Sequence, residues 1–171
     1  MFRKMRRYKQ MLSQEENIEI LRTGASGVLA VHGDDDYPYT IPLNYVYRDN
    51  KLYFHCAKTG HKLDAIQRQP KVSFCVISED KIVPEEYTTY FRSVIVFGKA
   101  HILTDESEIK SAINALAIKY SPNDTEENRQ QVIARERKLL CMLVLEIEHM
   151  TGKEAMELVR VKPCTQQQFE Q

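Results

Sequence analysis

Tyr90-Phe91-Arg92-Ser93-Val94-Ile95-Val96-Phe97-Gly98-Lys99-Ala100-His101-Ile102-Leu103 is a long run with a two-residue period. Val94, Val96, Gly98, Ala100 and Ile102 fall on one side of an extended chain. Ser93, Ile95, Phe97, Lys99 and His101 fall on the other, because successive side chains of a strand point to opposite faces. The run therefore predicts a long β-strand. Gly98 in its middle predicts a bulge or the close approach of another group, although a simple bend of the sheet explains it equally well.

Working outward, Lys71 to Ser78 reads as a strand and residues 79–88 as a polar loop. On the other side, Glu106 to Lys119 carries Ile109, Ile113, Leu116 and Ala117 at helical spacing. Pro122 ends that helix, and Asp124 to Arg137 reads as a more polar one. Leu139 to Glu148 is an unbroken apolar strand, which predicts burial on both faces. Towards the N-terminus, Ser13-Gln14-Glu15-Glu16 is a capping box opening a helix that Gly24 ends. Ser26 to Val31, Tyr37 to Tyr47 and Lys51 to Cys56 follow as strands separated by turns at residues 33–36 and 49–50, the pattern of a three-stranded meander. Pro38 and Pro42 cannot donate to a ladder, so their strand is predicted at an edge or broken. A broken strand leaves backbone N–H and C=O groups that a flat heterocycle could satisfy. A short helix from Leu63 to about Arg68 ends at Pro70. Six closely spaced strands with helices at the periphery predict a mainly β fold, a compact barrel decorated by helices.

The chain has 171 residues, 43% apolar and 28% charged, within the range of one soluble domain. One domain over 1–171 is expected, with a basic arm at 1–12 and a loose polar tail at 162–171. No stretch approaches the roughly 20 apolar residues of a membrane span. The basic N-terminus lacks the apolar segment of a secretory signal, so a cytoplasmic location is expected. The arm carries Arg3, Lys4, Arg6, Arg7 and Lys9. Of 24 basic and 24 acidic groups this leaves 19 against 24, a net of −5, for the body. Such a body argues against a broad nucleic-acid surface; the arm is a solvated segment or packs on a partner subunit. Of the four cysteines, Cys56, Cys75 and Cys141 sit in apolar runs and read as small buried hydrophobes. With Cys164 they form no C-x-x-C pair, which argues against a disulfide framework or zinc site.

The histidines at 32, 55, 61, 101 and 149 have no metal-site spacing. No G-x-S-x-G elbow, Walker A loop or G-x-G-x-x-G turn occurs. Chemistry carried by a bound cofactor stays open, since it needs few reactive side chains. The stretch most suited to a ligand is Phe54-His55-Cys56-Ala57-Lys58-Thr59-Gly60-His61-Lys62. Here a strand ends, a glycine loop follows, and a helix opens beside basic groups, an arrangement that suits phosphate. Its bland reading is a solvated loop. Thr40 and Asn44 on the interrupted strand offer polar groups to a ring edge, or else simply face solvent.

Taken in order, Gly27-Val-Leu-Ala, Tyr37-Pro-Tyr-Thr-Ile-Pro-Leu-Asn-Tyr, Leu52-Tyr-Phe-His-Cys-Ala-Lys-Thr-Gly-His-Lys-Leu-Asp, Lys71-Val-Ser-Phe, Tyr90-Phe-Arg-Ser-Val-Ile-Val-Phe-Gly-Lys-Ala and Met150-Thr-Gly-Lys-Glu-Ala resemble the 5-nitroimidazole-resistance (Nim-type) group of the pyridoxamine 5′-phosphate oxidase-like flavoproteins. The resemblance implies a six-stranded antiparallel split β-barrel of Greek-key, FMN-binding type, and a homodimer with the flavin at the subunit interface. It implies that Lys62, with His61 and the backbone near Ala57, holds the phosphate, and it makes His55 a further cofactor-binding residue. Thr40, Ile41, Pro42, Leu43 and Asn44 would line the isoalloxazine ring, and Ser93 and Val94 would approach the flavin. His61 would also sit at the open face where substrate stacks, as the candidate catalytic residue. His61 stands where the wider family often has arginine, which keeps FAD as the alternative to FMN.

The activity so implied is a flavin-dependent reductase of a small oxidised molecule such as a nitroaromatic, with NADH or NADPH as donor. The alternatives are a flavin-binding carrier or sensor without turnover, and a pyridoxamine 5′-phosphate oxidase-like oxidase.

Overall fold

The computed structural model describes residues 1–161. A one-turn helix at Tyr8–Gln10 precedes α1 (Gln14–Thr23), β1 (Ser26–His32), β2 (Pro38–Asn44), β3 (Val46–Arg48), β4 (Lys51–Ala57), α2 (His61–Arg68), β5 (Lys71–Val83), β6 (Thr88–Ile102), α3 (Glu106–Tyr120), α4 (Glu126–Glu136), β7 (Leu140–Glu154) and α5 (Met156–Val161). The predicted tail, with Cys164, lies outside the described residues.

The strands form one antiparallel sheet in the order β2-β1-β5-β6-β7-β4-β3. β2 and β3 end this order, yet only Tyr45 separates them in the chain. The two edges are thus joined covalently rather than by a ladder, and the sheet curls into a split barrel. The described strands number seven, not the predicted six. Tyr37 to Tyr47 divides because the backbone at Tyr45 bonds to a helix instead of a strand. Its N–H donates to Tyr120 Oη at 2.9 Å, and its carbonyl accepts from Tyr120 Oη at 2.8 Å and Lys119 Nζ at 3.0 Å. Backbone groups satisfied in this way have no need of a ladder. The predicted meander is corrected for the same reason: β1–β2 and β3–β4 are hairpin pairs at opposite ends of the sheet. β2, with Pro38 and Pro42, is an edge strand, as its prolines require.

The predicted loop at 79–88 is mostly strand. β5 and β6 stay paired from Glu79↔Arg92 to Val83↔Thr88, past a register shift at Ile77/Glu79. Polar composition there marks exposure, because a hairpin beyond the body of a sheet has no core face to fill. β7 likewise runs to Glu154, whose buried carboxylate accepts from Arg92 Nε at 3.1 Å. At Gly98 both expected features occur together. The register shifts between Phe97 and Gly98 against β7, and a Cβ at Gly98 would run into the Glu146 carbonyl.

Two apolar layers meet on β7. Leu143 and Leu145 face the barrel interior with Leu52, Phe54, Phe74 and Val96. Met142 and Val144 face outward against Ile109, Ile113 and Leu116 of α3. Burial on both faces is what the apolar run predicted. Ser13 caps α1 as expected: the Glu16 N–H donates to its Oγ at 3.2 Å, and its own N–H donates to Glu16 Oε2 at 2.8 Å. Cys56 is buried, but Cys75 and Cys141 are only half-buried, a correction to their reading as core residues. Cys75 faces outward on β5, the side the interior cannot cover.

The basic arm docks on its own chain. Leu12 enters the core, Phe2 stacks on His149 with centroids 4.4 Å apart, and Arg3, Lys4, Arg6, Arg7 and Lys9 remain exposed. Among the described residues no helix is long and apolar enough to cross a membrane.

Candidate functional site

Two adjoining cavities open between the β2–β4 end of the barrel and the helices α3 and α4. One, of about 420 Å³, has Asn44, His55, Tyr120 and Glu136 set in walls of Ile113, Leu116, Ile133 and Leu140. The other, of about 510 Å³, is lined by Leu43, His55, Cys56, Ala57, Lys62, Glu136, Leu139 and Leu140. His55, Glu136 and Leu140 line both, so the two lie side by side as a two-part channel. Each volume is in the range of small-molecule and cofactor pockets. A larger recess of about 660 Å³ lies between Phe2 and the outer face of β1, β5 and β6, and holds none of the sequence-predicted residues. The channel is the better candidate, because it brings an ammonium, an imidazole and a carboxylate together against apolar walls.

Five predicted residues converge here: Leu43 and Asn44 from the end of β2, His55 and Ala57 from the outer face of β4, and Lys62 from the first turn of α2. The physical cause is the turn at Gly60. Its φ of +137° lies in a region that favours glycine, and an added Cβ there would meet nothing within 4 Å. The chain swings from β4 into α2 across open space, so the first N–H groups of the helix, which lack intrahelical acceptors, lie beside Lys62.

The other predicted residues lie apart from the channel lining. Thr40 and Pro42 are exposed, and Ile41 packs half-buried against the core. His61 stacks on Tyr39 at 4.2 Å, with Nε2 3.4 Å from Asp34 Oδ2. Asp34 also pairs with Arg68 at 2.8 Å, tying α2 to the β1–β2 turn. Val94 is fully buried in the barrel, while its neighbour Ser93 is half-buried on the opposite face, across from Ile77 and Lys153.

Sequence reasoning missed Glu136, Leu140 and Tyr120. Glu136 ends a polar helix with no motif and reaches the site because α4 folds back beside α3, while Leu140 reaches it as the first residue of β7, opposite Ala57. Tyr120 carries no local signal either. Its single hydroxyl proton is shared between the Tyr45 carbonyl and the Ala25 carbonyl, the latter 2.6 Å away, and Asn44 Nδ2 donates to that same Ala25 oxygen at 3.1 Å. Lys119 Nζ donates to Gly24 O at 2.6 Å and lies 4.2 Å from the centre of the Tyr45 ring. Burial pushes the Lys119 pKa down and, with Tyr120 nearby, that of Tyr45 up. These contacts pin the strand break that shapes one wall. Among the described residues no three His, Cys, Asp or Glu side chains cluster as metal ligands would.

The family model described as pyridoxamine 5′-phosphate oxidase matches residues 13–154. A conserved hypothetical protein of Mycobacterium tuberculosis shares the fold with a TM-score of 0.77 at 19% identity, over 91% of this chain and 92% of that one. A candidate 5-nitroimidazole antibiotic resistance protein of Bacteroides thetaiotaomicron gives a TM-score of 0.69 at 20% identity, covering 84% and 86%. An FAD-binding protein of Mesorhizobium loti gives 0.63 at 24% identity, covering 85% and 97%. No curated protein matches the chain.

Proposed function

The chain belongs to the pyridoxamine 5′-phosphate oxidase family, and from that premise we propose that it binds a flavin in the channel and reduces a small oxidised molecule. The observation that carries this reading is the convergence of Leu43, Asn44, His55, Ala57 and Lys62 on one channel. The donor set fits a flavin mononucleotide. Lys62 and the opening turn of α2 suit a phosphate, while the edge strand β2 and the Leu43 and Leu140 side chains suit the rim and face of a flat ring. The FAD-binding protein of Mesorhizobium loti, which shares the fold, supports flavin as the ligand class and keeps FAD as the alternative to FMN.

A bound flavin supplies two-electron transfer between a nicotinamide donor and an oxidised acceptor. The chain's own part is to bind, orient and desolvate. Lys62 neutralises phosphate charge, and the apolar walls exclude water from the stacked rings. The reductase reading extends to nitroaromatic acceptors, as in the Nim-type group; the shared fold of the candidate resistance protein supports this extension. A second copy of the chain covers the outer sheet face. There Val28, Cys75 and Ile95 lie in register across three strands, with Ile77 beside them, and monomers rarely leave such apolar stripes bare.

The decisive experiment is the visible spectrum of freshly purified protein, followed by mass identification of what heat releases. Near-stoichiometric flavin bands that bleach anaerobically with NADH or NADPH are expected. Flavin that no nicotinamide bleaches would replace the reductase with a carrier or sensor. A colourless protein that takes up neither FMN nor FAD would end the proposal.

A further inference from the structure

Cys56 on β4 and Cys141 on β7 are register partners. Side chains on directly opposed residues share a face, and this rung follows Leu52↔Leu145 and Phe54↔Leu143, whose side chains fill the barrel. The cysteine rung is the last to point inward before the strands part, and both sulfurs are free thiols. Opposed residues of an antiparallel pair have Cα atoms about 4.5–5.5 Å apart, inside the roughly 4.4–6.8 Å that a disulfide spans. Both side chains turn into the same end of the barrel core. They are also reachable: Cys56 lines the cavity beside Lys62, and Cys141 is half-exposed.

We propose that Cys56 and Cys141 are a reversible redox site, closing to a cross-strand disulfide in the channel wall. The oxidant is a low-molecular-weight disulfide such as oxidised glutathione. The thiolate of Cys141, the more exposed partner, attacks one sulfur and expels the first thiol. The thiolate of Cys56 then attacks the mixed disulfide and expels the second. Two S–H bonds are lost, one S–S bond forms, two protons leave, and the electron pair reduces the oxidant to two thiols. Closure ties β4 to β7 just before the chain turns through Gly60 to Lys62, so the channel mouth responds to thiol redox state. This site rests on the rung and the cavity and does not require a flavin.

Burial first, then the neighbouring Cys141, pushes the Cys56 thiol up to about 11, against the pull of Lys62. Only the thiolate attacks, so the resolving step accelerates as pH rises towards that value. The test uses full-length protein carrying Cys75→Ser and Cys164→Ser, equilibrated with glutathione buffers of graded ratio. Expected is the joint loss of both remaining thiols, a mass lower by two hydrogens, a linked peptide joining residues 56 and 141, and recovery with dithiothreitol. Adding Cys56→Ser should trap glutathione on Cys141. The same peptide map on the unsubstituted protein covers the case in which the serine variants fold poorly. Thiols that stay titratable in oxidised glutathione would overturn the proposal. So would a lasting glutathione adduct on Cys141 with Cys56 present, or a link between chains instead of within one.

Discussion

Lys62 and His61 are neighbours in sequence but have different surroundings. Lys62 lines the channel, whereas His61 is stacked on Tyr39 beside Asp34. A helix turns by about 100° per residue, so two basic side chains at the start of α2 cannot share one wall. In the proposed flavin site the phosphate role therefore falls on Lys62. Replacing it with methionine keeps most of the side-chain volume and removes the charge. A hydrogen bond to a charged group is worth about 1.5–3 kcal/mol, so Lys62→Met should weaken FMN binding on the order of tenfold to a hundredfold, as measured by titration calorimetry. The thermal midpoint of the flavin-free protein should stay within a few degrees of the original. Unchanged affinity would move the phosphate away from this cavity. Neither side chain's direction was legible from the motif: it favours Lys62, with Lys58 and His61 as further candidates, and the start of the helix decides which way each points.

At the scale of elements, β6 and β7 depend on one close backbone approach. Gly98 sits where the register slips, with the Glu146 carbonyl in the space a Cβ would need. The flexible tip of a side chain could move aside, but a carbonyl in a ladder cannot without breaking pairing. Gly98→Ala should cost on the order of 1–3 kcal/mol, as overpacked cores do. The cost should appear as a lower midpoint of denaturant unfolding with little change in its slope. An unchanged midpoint would mean that the ladder relaxes freely there. The glycine's position in a period-2 run made a bulge readable, though not its partner. The prolines of β2 likewise announced an interrupted edge strand. The interruption itself is made by Tyr120 and Lys119, from a helix far along the chain, and no local pattern could supply it.

For the molecule as a whole, the outer sheet face carries Val28, Cys75 and Ile95 side by side, with Ile77 two residues beyond Cys75. If a second copy covers it, a charge there should be far costlier to assembly than to folding. Ile95→Glu, at a position 40% exposed, should shift sedimentation from dimer to monomer and leave the far-ultraviolet circular dichroism unchanged; a variant that still sediments as a dimer would place the interface elsewhere. Much about the protein is local and could be read along the chain. The long alternating strands, the doubly buried β7, the capped α1 and the loop opening into α2 follow from side-chain period, capping chemistry and glycine, which act within a few residues. The strand order, the strand break that Lys119 and Tyr120 hold at Tyr45, the channel walls from Glu136 and Leu140, and the Cys56–Cys141 rung bring together residues scores of positions apart. Such pairings have no signature in any short window. The channel walls, for their part, exist because burying the outer face of β7 draws α3 and α4 over the sheet.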